Sequence, residues 1–525
     1  MRRLLTGAAA LLLAGAALAT PTPTDGSVPT LDRAPVRRVP APVATSWGPT
    51  RAEVSRAREL VGAMSLSEQA GQVIVAGYHG TRSPAALVDR LHLGGAVPVA
   101  ENITSSAQIR AVNASVQRVV RPRGYPAFIG VDQEGGTVVR IREATAFPAF
   151  MSTGAARDPG LTREVAAANG REMRGLGFTS VLAPVADVTR GPADPVIGTR
   201  SASGFPRVAA AQVVAAEAGL ADAGVIGVLK HFPGHGAVTV DSHQALPVLR
   251  TPLDVLRRTA LVPFRRGVEA GASAVMIGHL DVRAVDPHVP ASLSRKVVTG
   301  LLRDELGFRG VVMTDALSMG AISKRYGSAR AAARAVNAGV DIVLMPADAR
   351  AARTGIVDAV RAGRLPRTRL AAAASRMVAL LLHVRHADAR PARLGSAARL
   401  SARLSGEALT SVAGPCSGRL VGGHVRVAGP ADAVAVFRAA AARQGLGVGR
   451  GTRVVLATRG RPPRGGVVVA LDRPDLLARS AAPVRVATYG VTAGAMRALV
   501  GFLLGHRSAP GHLPVRVPAL PRTGC

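Results

Sequence analysis

The run Lys230-His231-Phe232-Pro233-Gly234-His235-Gly236, followed by Asp241-Ser242-His243, gathers three histidines, a lysine and an aspartate within fourteen residues. It comes directly after the apolar run 224–229, which reads as a short buried strand. Gly234 and Gly236 permit sharp turns and Pro233 stiffens them. Titratable groups clustered on a loop at a strand end are what proton-transfer chemistry requires. His231, His235, Asp241 and His243 could in principle ligate zinc. Their spacing fits no standard zinc pattern, however, and HExxH is absent, so no metal site is assigned.

These residues need a scaffold. From residue 51 onward, apolar runs rich in β-branched residues alternate with helical patterns. The expected strands are 72–76, 95–99, 127–131, 180–185, 225–229, 274–277, 310–313 and 341–345. Eight such runs separated by helices imply parallel strands with crossovers, and within about 300 residues they suggest a (β/α)8 barrel of TIM type. A doubly wound open sheet is the alternative, disfavoured by the count and by the absence of GxGxxG. Asp132, Asp187, Lys230, His231, His279 and Asp315 each fall at or just after such a run. A barrel carries strand ends to one rim, so these distant residues would share a pocket. Helices are expected over 162–175, 253–270 and 370–386.

The catalytic barrel is placed at 51–388. After it, shorter runs at 419–421, 425–427, 453–457, 467–470 and 484–489 alternate with helices at 431–444 and 492–504. That is a smaller α/β C-terminal domain, 389–525, without a chemical constellation. Glu407, Asp432, Asp472 and Asp475 read as solvated acids.

The chain has 525 residues, 48% hydrophobic and 19% charged, long enough for a large core and more than one domain. Aromatics make up only 3%, so the core must be aliphatic. The formal net charge is +33, but the lysines are only Lys230, Lys296 and Lys324, and the arginines are scattered. No basic tail or aromatic-interleaved stripe appears, which argues against nucleic acid; a general Arg and Ala bias of composition accounts for the charge, with association with an anionic cell wall as the residual reading. Arg2 and Arg3 precede an apolar stretch from Leu4 to Leu18, and Ala17-Leu18-Ala19 offers a cleavage site. Residues 1–19 thus read as a secretory signal peptide and 20–50 as a Pro- and Thr-rich linker. No other stretch reads as a membrane span, so the chain is expected to be secreted or wall-associated. Cys416 and Cys525 could pair in an oxidising exterior.

Asp132, Asp187 and Asp315 as acids, with Arg140, Arg200, Lys230 and His231 as donors, suit a polyhydroxylated ligand. Glycoside hydrolysis fits this inventory, with one carboxylate as nucleophile and a second group protonating the leaving oxygen. Several segments, in this order, resemble glycoside hydrolase family 3, and within it the β-N-acetylglucosaminidases. They are Gly130-Val131-Asp132-Gln133-Glu134-Gly135-Gly136 with Arg140, Ala183-Pro184-Val185-Ala186-Asp187-Val188, Ile197-Gly198-Thr199-Arg200-Ser201, the 230–243 loop, and Val312-Met313-Thr314-Asp315-Ala316-Leu317-Ser318-Met319. The resemblance covers roughly residues 55 to 385. One departure is that Ser201 is followed by Ala202 and Ser203, where the family often has an aromatic.

The resemblance implies that Asp315 is the nucleophile, that His243 is the acid/base and that Asp241 orients it. Asp132, Arg140, Lys230, His231 and Arg200 would hold the terminal sugar, while Asp187 supports the rim and His235 shapes the loop. For His279 a packed or supporting role is expected. An imidazole titrates near ~6.5, so it can serve both proton transfers near neutral pH. It does not repel an incoming anion as a glutamate would, so phosphorolysis stays open beside hydrolysis. A β-glucosidase on the same scaffold also stays open, as does a non-catalytic wall-binding protein. The implied substrate carries terminal β-linked N-acetylglucosamine, from muropeptides or chitin fragments, and no cofactor is implied.

Overall fold

Short strands whose residues are nearly all buried make the centre of the molecule. The computed structural model describes residues 44–521 except 459, 461 and 463. The expected signal peptide, most of the expected linker, and Cys525 lie outside the described residues. Cys416 is disulfide-bonded.

The strands are β1 (Ile74–Ala76), β2 (Gly95–Ala96), β3 (Phe128–Val131), β4 (Ser180–Val181), β5 (Ile226–Gly227), β6 (Leu229–Phe232), β7 (Ala274–Ile277), β8 (Val311–Thr314) and β9 (Val343–Leu344). They form two parallel sheets, β9-β1-β2-β3-β4-β5 and β8-β7-β6. Parallel bridges Val185↔Lys230 and Met313↔Ile342 join the sheets at both edges. The Thr314 N–H donates to Ile342 O at 3.0 Å and the Asp341 N–H to Val312 O at 2.7 Å, which closes the ring. With β5 and β6 as two halves of one strand, this is the expected eight-stranded barrel. Burial on every strand residue explains why the runs are continuously apolar rather than alternating.

Three expectations shift. Gln72 ends the helix Leu66–Gln72 rather than opening a strand. Lys230 and His231 lie inside β6 rather than after a strand. Polar side chains read as a strand end, but here carboxylate partners satisfy them within the barrel mouth. The helix expected over 253–270 is two, Leu253–Arg258 and Leu261–Glu269, broken at Thr259. Pro263 is the cause, because its ring cannot tolerate the helical carbonyl four residues back, that of Thr259. At the other end of the barrel, residues 44–50 are not a free tether. Trp47 is buried in the core, and Thr50 closes a capping box with Glu53 on helix Arg51–Gly62.

The second sheet runs β10 (Thr410–Ala413), β15 (Val484–Ala487), β14 (Val467–Ala470), β13 (Thr452–Ala457), β11 (His424–Ala428), β12 (Gly447–Val448). Only β10 is antiparallel, against β15. The expected strand at 419–421 is irregular: the Leu420 and Val421 N–H groups both donate to Leu503 O. Met151 and Ala155, from the barrel half, share an apolar cluster with Val412, Val455, Leu513 and Val515. Asp472 and Asp475 are not solvated surface acids: Asp472 accepts from Thr199 and Asp475 from Arg473.

One half-buried carboxyl makes stability depend on pH. Glu217, on helix Pro206–Asp222, lies against Gly227, where a Cβ would sit 2.0 Å from its Oε2. That oxygen has no hydrogen-bond partner, and Ser273 reaches Oε1 only at 3.4 Å. Burial pushes the carboxyl from its ordinary 4.5 up to about 7, only partly offset by the Ser273 bonds. A raised folded value means the stabilising contribution is complete below pH 4.5 and is lost as the pH rises through 7. Glu217→Gln should therefore add about 3 kcal/mol at pH 8 and little at pH 4.5, measured by denaturant melts at both values.

Candidate active site

The β6 strand and its following loop deliver the cationic side of the site. Lys230 Nζ is 2.7 Å from Asp132 Oδ1 and 2.6 Å from Glu134 Oε1, with its side chain only 2% exposed. Arg200 forks onto Glu134, Nε and Nη2 each at 2.9 Å. Arg140 Nη2 lies 3.8 Å from Asp132 Oδ2. Three cations thus face two carboxylates, and the surplus positive charge favours ionised acids nearby. Burial opposes ionisation of Glu134, but Arg200 and Lys230 outweigh it and hold that carboxyl far below its ordinary value. Burial likewise opposes the charge on Lys230, and Asp132 and Glu134 overcome it, raising its ammonium value.

Asp187 is fully buried and organises the loop. Its Oδ2 accepts from the His231 backbone at 3.2 Å and from His231 Nδ1 at 2.8 Å, and its Oδ1 accepts from the His235 N–H at 2.6 Å. A carboxylate partner makes His231 Nδ1 the donor and leaves Nε2 free. His235 Nε2 pairs with Ser242 Oγ at 3.1 Å, tying the loop across itself. The three loop histidines therefore have three separate partners. Among the described residues no group of three or more His, Cys, Asp or Glu is arranged to hold a metal.

Asp241 and His243 sit at the outer end of the loop. Asp241 Oδ1 accepts from the His243 N–H at 2.9 Å and from its Nδ1 at 2.8 Å. This fixes the Nδ1–H tautomer and leaves Nε2 for proton transfer. Burial works against the Asp241 charge, but the His243 bonds win and lower its value. The His243 side chain is 73% exposed, so it stands at the rim rather than the floor.

Asp315 follows β8 directly. Its Oδ1 accepts from the Ala316 N–H at 2.8 Å. Burial raises the cost of its charge, yet His231, His279, the Ala316 N–H and Lys230 together lower the carboxyl below its ordinary value. Asp315 is thereby kept as the anion a nucleophile must be. His279 has the supporting role expected of it: Nε2 donates to Ala316 O at 2.9 Å and Nδ1 pairs with Ser292 at 2.8 Å. Burial pushes its own imidazole down, toward the neutral form.

A cavity of about 400 Å³ is lined by Asp132, Arg140, Arg200, Lys230, His231, Asp241, His243 and Asp315 together. The eight residues given a catalytic or sugar-binding role from the sequence thus reach one opening, whereas Asp187 and His279, also expected to share it, are fully buried and do not line it. Arg200 reaches it with Nε and Nη2 committed to Glu134. Glu134 itself was overlooked, although it stands two residues from Asp132, a spacing that shares one face of an extended chain.

The segment after the nucleophile holds the His243 loop, which no sequence signal announces. The N–H groups of Gly320 and Ala321 donate to His243 O and Ser242 O at 3.2 Å each, and Lys324 Nζ donates to Gln244 O at 2.8 Å. A Cβ on Gly320 would lie 2.7 Å from His243 O and 2.9 Å from Gln244 O, backbone atoms that must then move. Gly320→Ala should displace the loop and cut kcat by roughly a hundredfold with little change in melting temperature. Initial rates and a thermal melt check this.

The model of the glycosyl hydrolase family 3 N terminal domain matches residues 65–380. Beta-hexosaminidase LpqI of Mycobacterium tuberculosis is 37% identical over 374 residues, 69% of this chain and 92% of that protein. Beta-hexosaminidase A of Pseudoalteromonas piscicida is 39% identical over 283 residues, 50% of this chain and 47% of that one, so the chain spans about half that relative's length. A solved family 3 beta-N-acetylglucosaminidase from Paenibacillus sp. str. FPU-7 superposes with a TM-score of 0.78 at 29% identity, covering 87% of this chain and 99% of the other. The chain belongs to glycosyl hydrolase family 3, as a glycoside hydrolase of the β-N-acetylhexosaminidase type.

Proposed function

We propose that the protein is a secreted, retaining exo-β-N-acetylglucosaminidase that removes terminal non-reducing N-acetylglucosamine from muropeptide or chitin fragments. The observation that carries this is the meeting, around one cavity, of an ionised Asp315 and a His243–Asp241 pair with a free Nε2. Asp315 attacks the anomeric carbon while His243 gives its proton to the departing oxygen, leaving a glycosyl-aspartate. His243 then takes a proton from water, which attacks the same carbon and releases the sugar with its configuration retained. Asp241 stabilises the imidazolium that gives the first proton and that the second transfer regenerates. Asp132, Arg140, Lys230, His231 and Arg200, which line the same cavity, hold the sugar hydroxyls.

A cavity of this volume suits a terminal residue rather than a threaded polymer. The names of the similar proteins support the N-acetylhexosaminide specificity. Export rests on the Arg2-Arg3 and apolar pattern of residues 1–19, and the net charge of +33 supports contact with an anionic wall.

Hydrolysis of aryl β-N-acetylglucosaminide and aryl β-glucoside, each in phosphate and in a non-phosphate buffer, tests the reading. The expected result is preference for the N-acetylglucosaminide, equal rates in both buffers and the β-anomer as first product. Preference for the glucoside, or formation of a sugar phosphate, would replace it with one of the other two activities.

A further inference from the structure

We propose that Asp472 and Arg473, carried by the second sheet, are positioning residues for the sugar pocket: they clamp the barrel loop that carries Arg200. They follow β14 at its C-terminal end, far in sequence from every residue of the pocket. Arg473 Nη1 donates to Asp194 O at 3.0 Å and Nη2 to Gly191 O at 2.8 Å, while its Nε is held by Asp475 at 3.1 Å. Asp472 Oδ1 accepts from Thr199 Oγ1 at 2.5 Å. A third tie comes from the chain's last segment, where Pro514 O accepts from the Gly204 N–H at 2.9 Å and from Ser203 Oγ at 2.5 Å.

The clamped loop has its own knot. Asp194 is fully buried, and its carboxylate accepts from Thr189 Oγ1 at 2.7 Å and from the N–H groups of Val196, Ile197 and Gly198 at 3.1, 2.9 and 3.3 Å. That carboxylate shapes the turn, but nothing in it fixes the turn relative to the barrel mouth. The Arg473 fork holds the turn's outer carbonyls, and Asp472 holds the residue immediately before Arg200. From Arg200 the restraint passes to Glu134, then to Lys230 and Asp132. Val196 and Ile197, on the same loop, line the cavity directly. A sheet that supplies no reacting group thereby sets the geometry of the groups that grip the sugar.

The consequence rests on the proposed sugar-binding role of this wall. Asp472→Ala should raise KM for an aryl glycoside roughly tenfold with kcat changed less than about threefold, because binding is lost equally in the ground and transition states. Thr199→Ala should match it, and the double variant should lose no more than either single one, since both remove the same bond. Asp472→Asn keeps an acceptor oxygen and should restore most of the affinity. Arg473→Ala should act in the same direction.

Hydrogen exchange of the backbone over residues 189–200, read by mass spectrometry on the full chain, reports the clamp without substrate. Faster exchange there in Asp472→Ala, at an unchanged melting temperature, is expected. Unchanged exchange, or faster exchange with an unchanged KM, would overturn the proposal. KM is read on whichever aryl glycoside the wild type turns over, so a failure of the N-acetylglucosaminide specificity leaves this test intact.

Discussion

Asp315→Asn should lower kcat by at least about 10⁴-fold on every glycoside, activated aryl substrates included. The amide cannot form the glycosyl ester, and a good leaving group does not replace a missing nucleophile. The variant should still bind N-acetylglucosamine. In the proposed mechanism the sugar is held by other side chains of the cavity, where Lys230, Glu134 and Arg200 are already locked together. Stability should fall only modestly, since the amide oxygen still accepts from the Ala316 N–H while the attraction of His231, His279 and Lys230 for the anion is lost. Calorimetry with the sugar and initial rates on the same sample separate binding from turnover. A non-catalytic wall-binding protein makes the opposite forecast, with function untouched by this change.

His243→Ala should divide substrates by leaving group. Natural glycosides and alkyl glycosides, whose departing oxygen needs a proton, should slow by about 10²–10⁴-fold. Nitrophenyl-type glycosides leave as stable anions and should lose far less in the first step. Because the His243 side chain is largely exposed and bonded only to Asp241, truncation removes no core packing. The split can then be assigned to chemistry, provided the melting temperature is unchanged. Equal losses on both substrate classes would remove His243 from the acid role.

The barrel was legible because each of its strands is buried throughout, which forces an apolar run that no surface segment would keep. The nucleophile segment and the 230–243 loop were legible because their residue types have few uses other than chemistry. What escaped was set by tertiary contact. Glu134 looked like a passenger in its motif until Arg200, 66 residues on, closed on it. Lys230 and His231 were read as following a strand because charge inside a strand is costly unless partners arrive from elsewhere, here Asp132, Glu134 and Asp187. The break at Thr259 was visible in Pro263 and was missed because the arginine pattern on either side keeps a helical period. Asp472 and Arg473 carried no sequence signal at all, since their partners are single carbonyls and a hydroxyl about 280 residues away.

The most direct measurement is covalent trapping. A 5-fluoro-N-acetylglucosaminyl fluoride should glycosylate the enzyme faster than water releases it, because the ring fluorine slows both steps and the fluoride leaving group speeds only the first. Trypsin cuts after Arg309 and Lys324, and the peptide between them contains Asp315 as its single acid. Mass spectrometry should find one sugar on that peptide, lost in Asp315→Asn. An active enzyme that gave no adduct, or one labelled on the peptide carrying Asp132 and Glu134, would contradict Asp315 as the nucleophile.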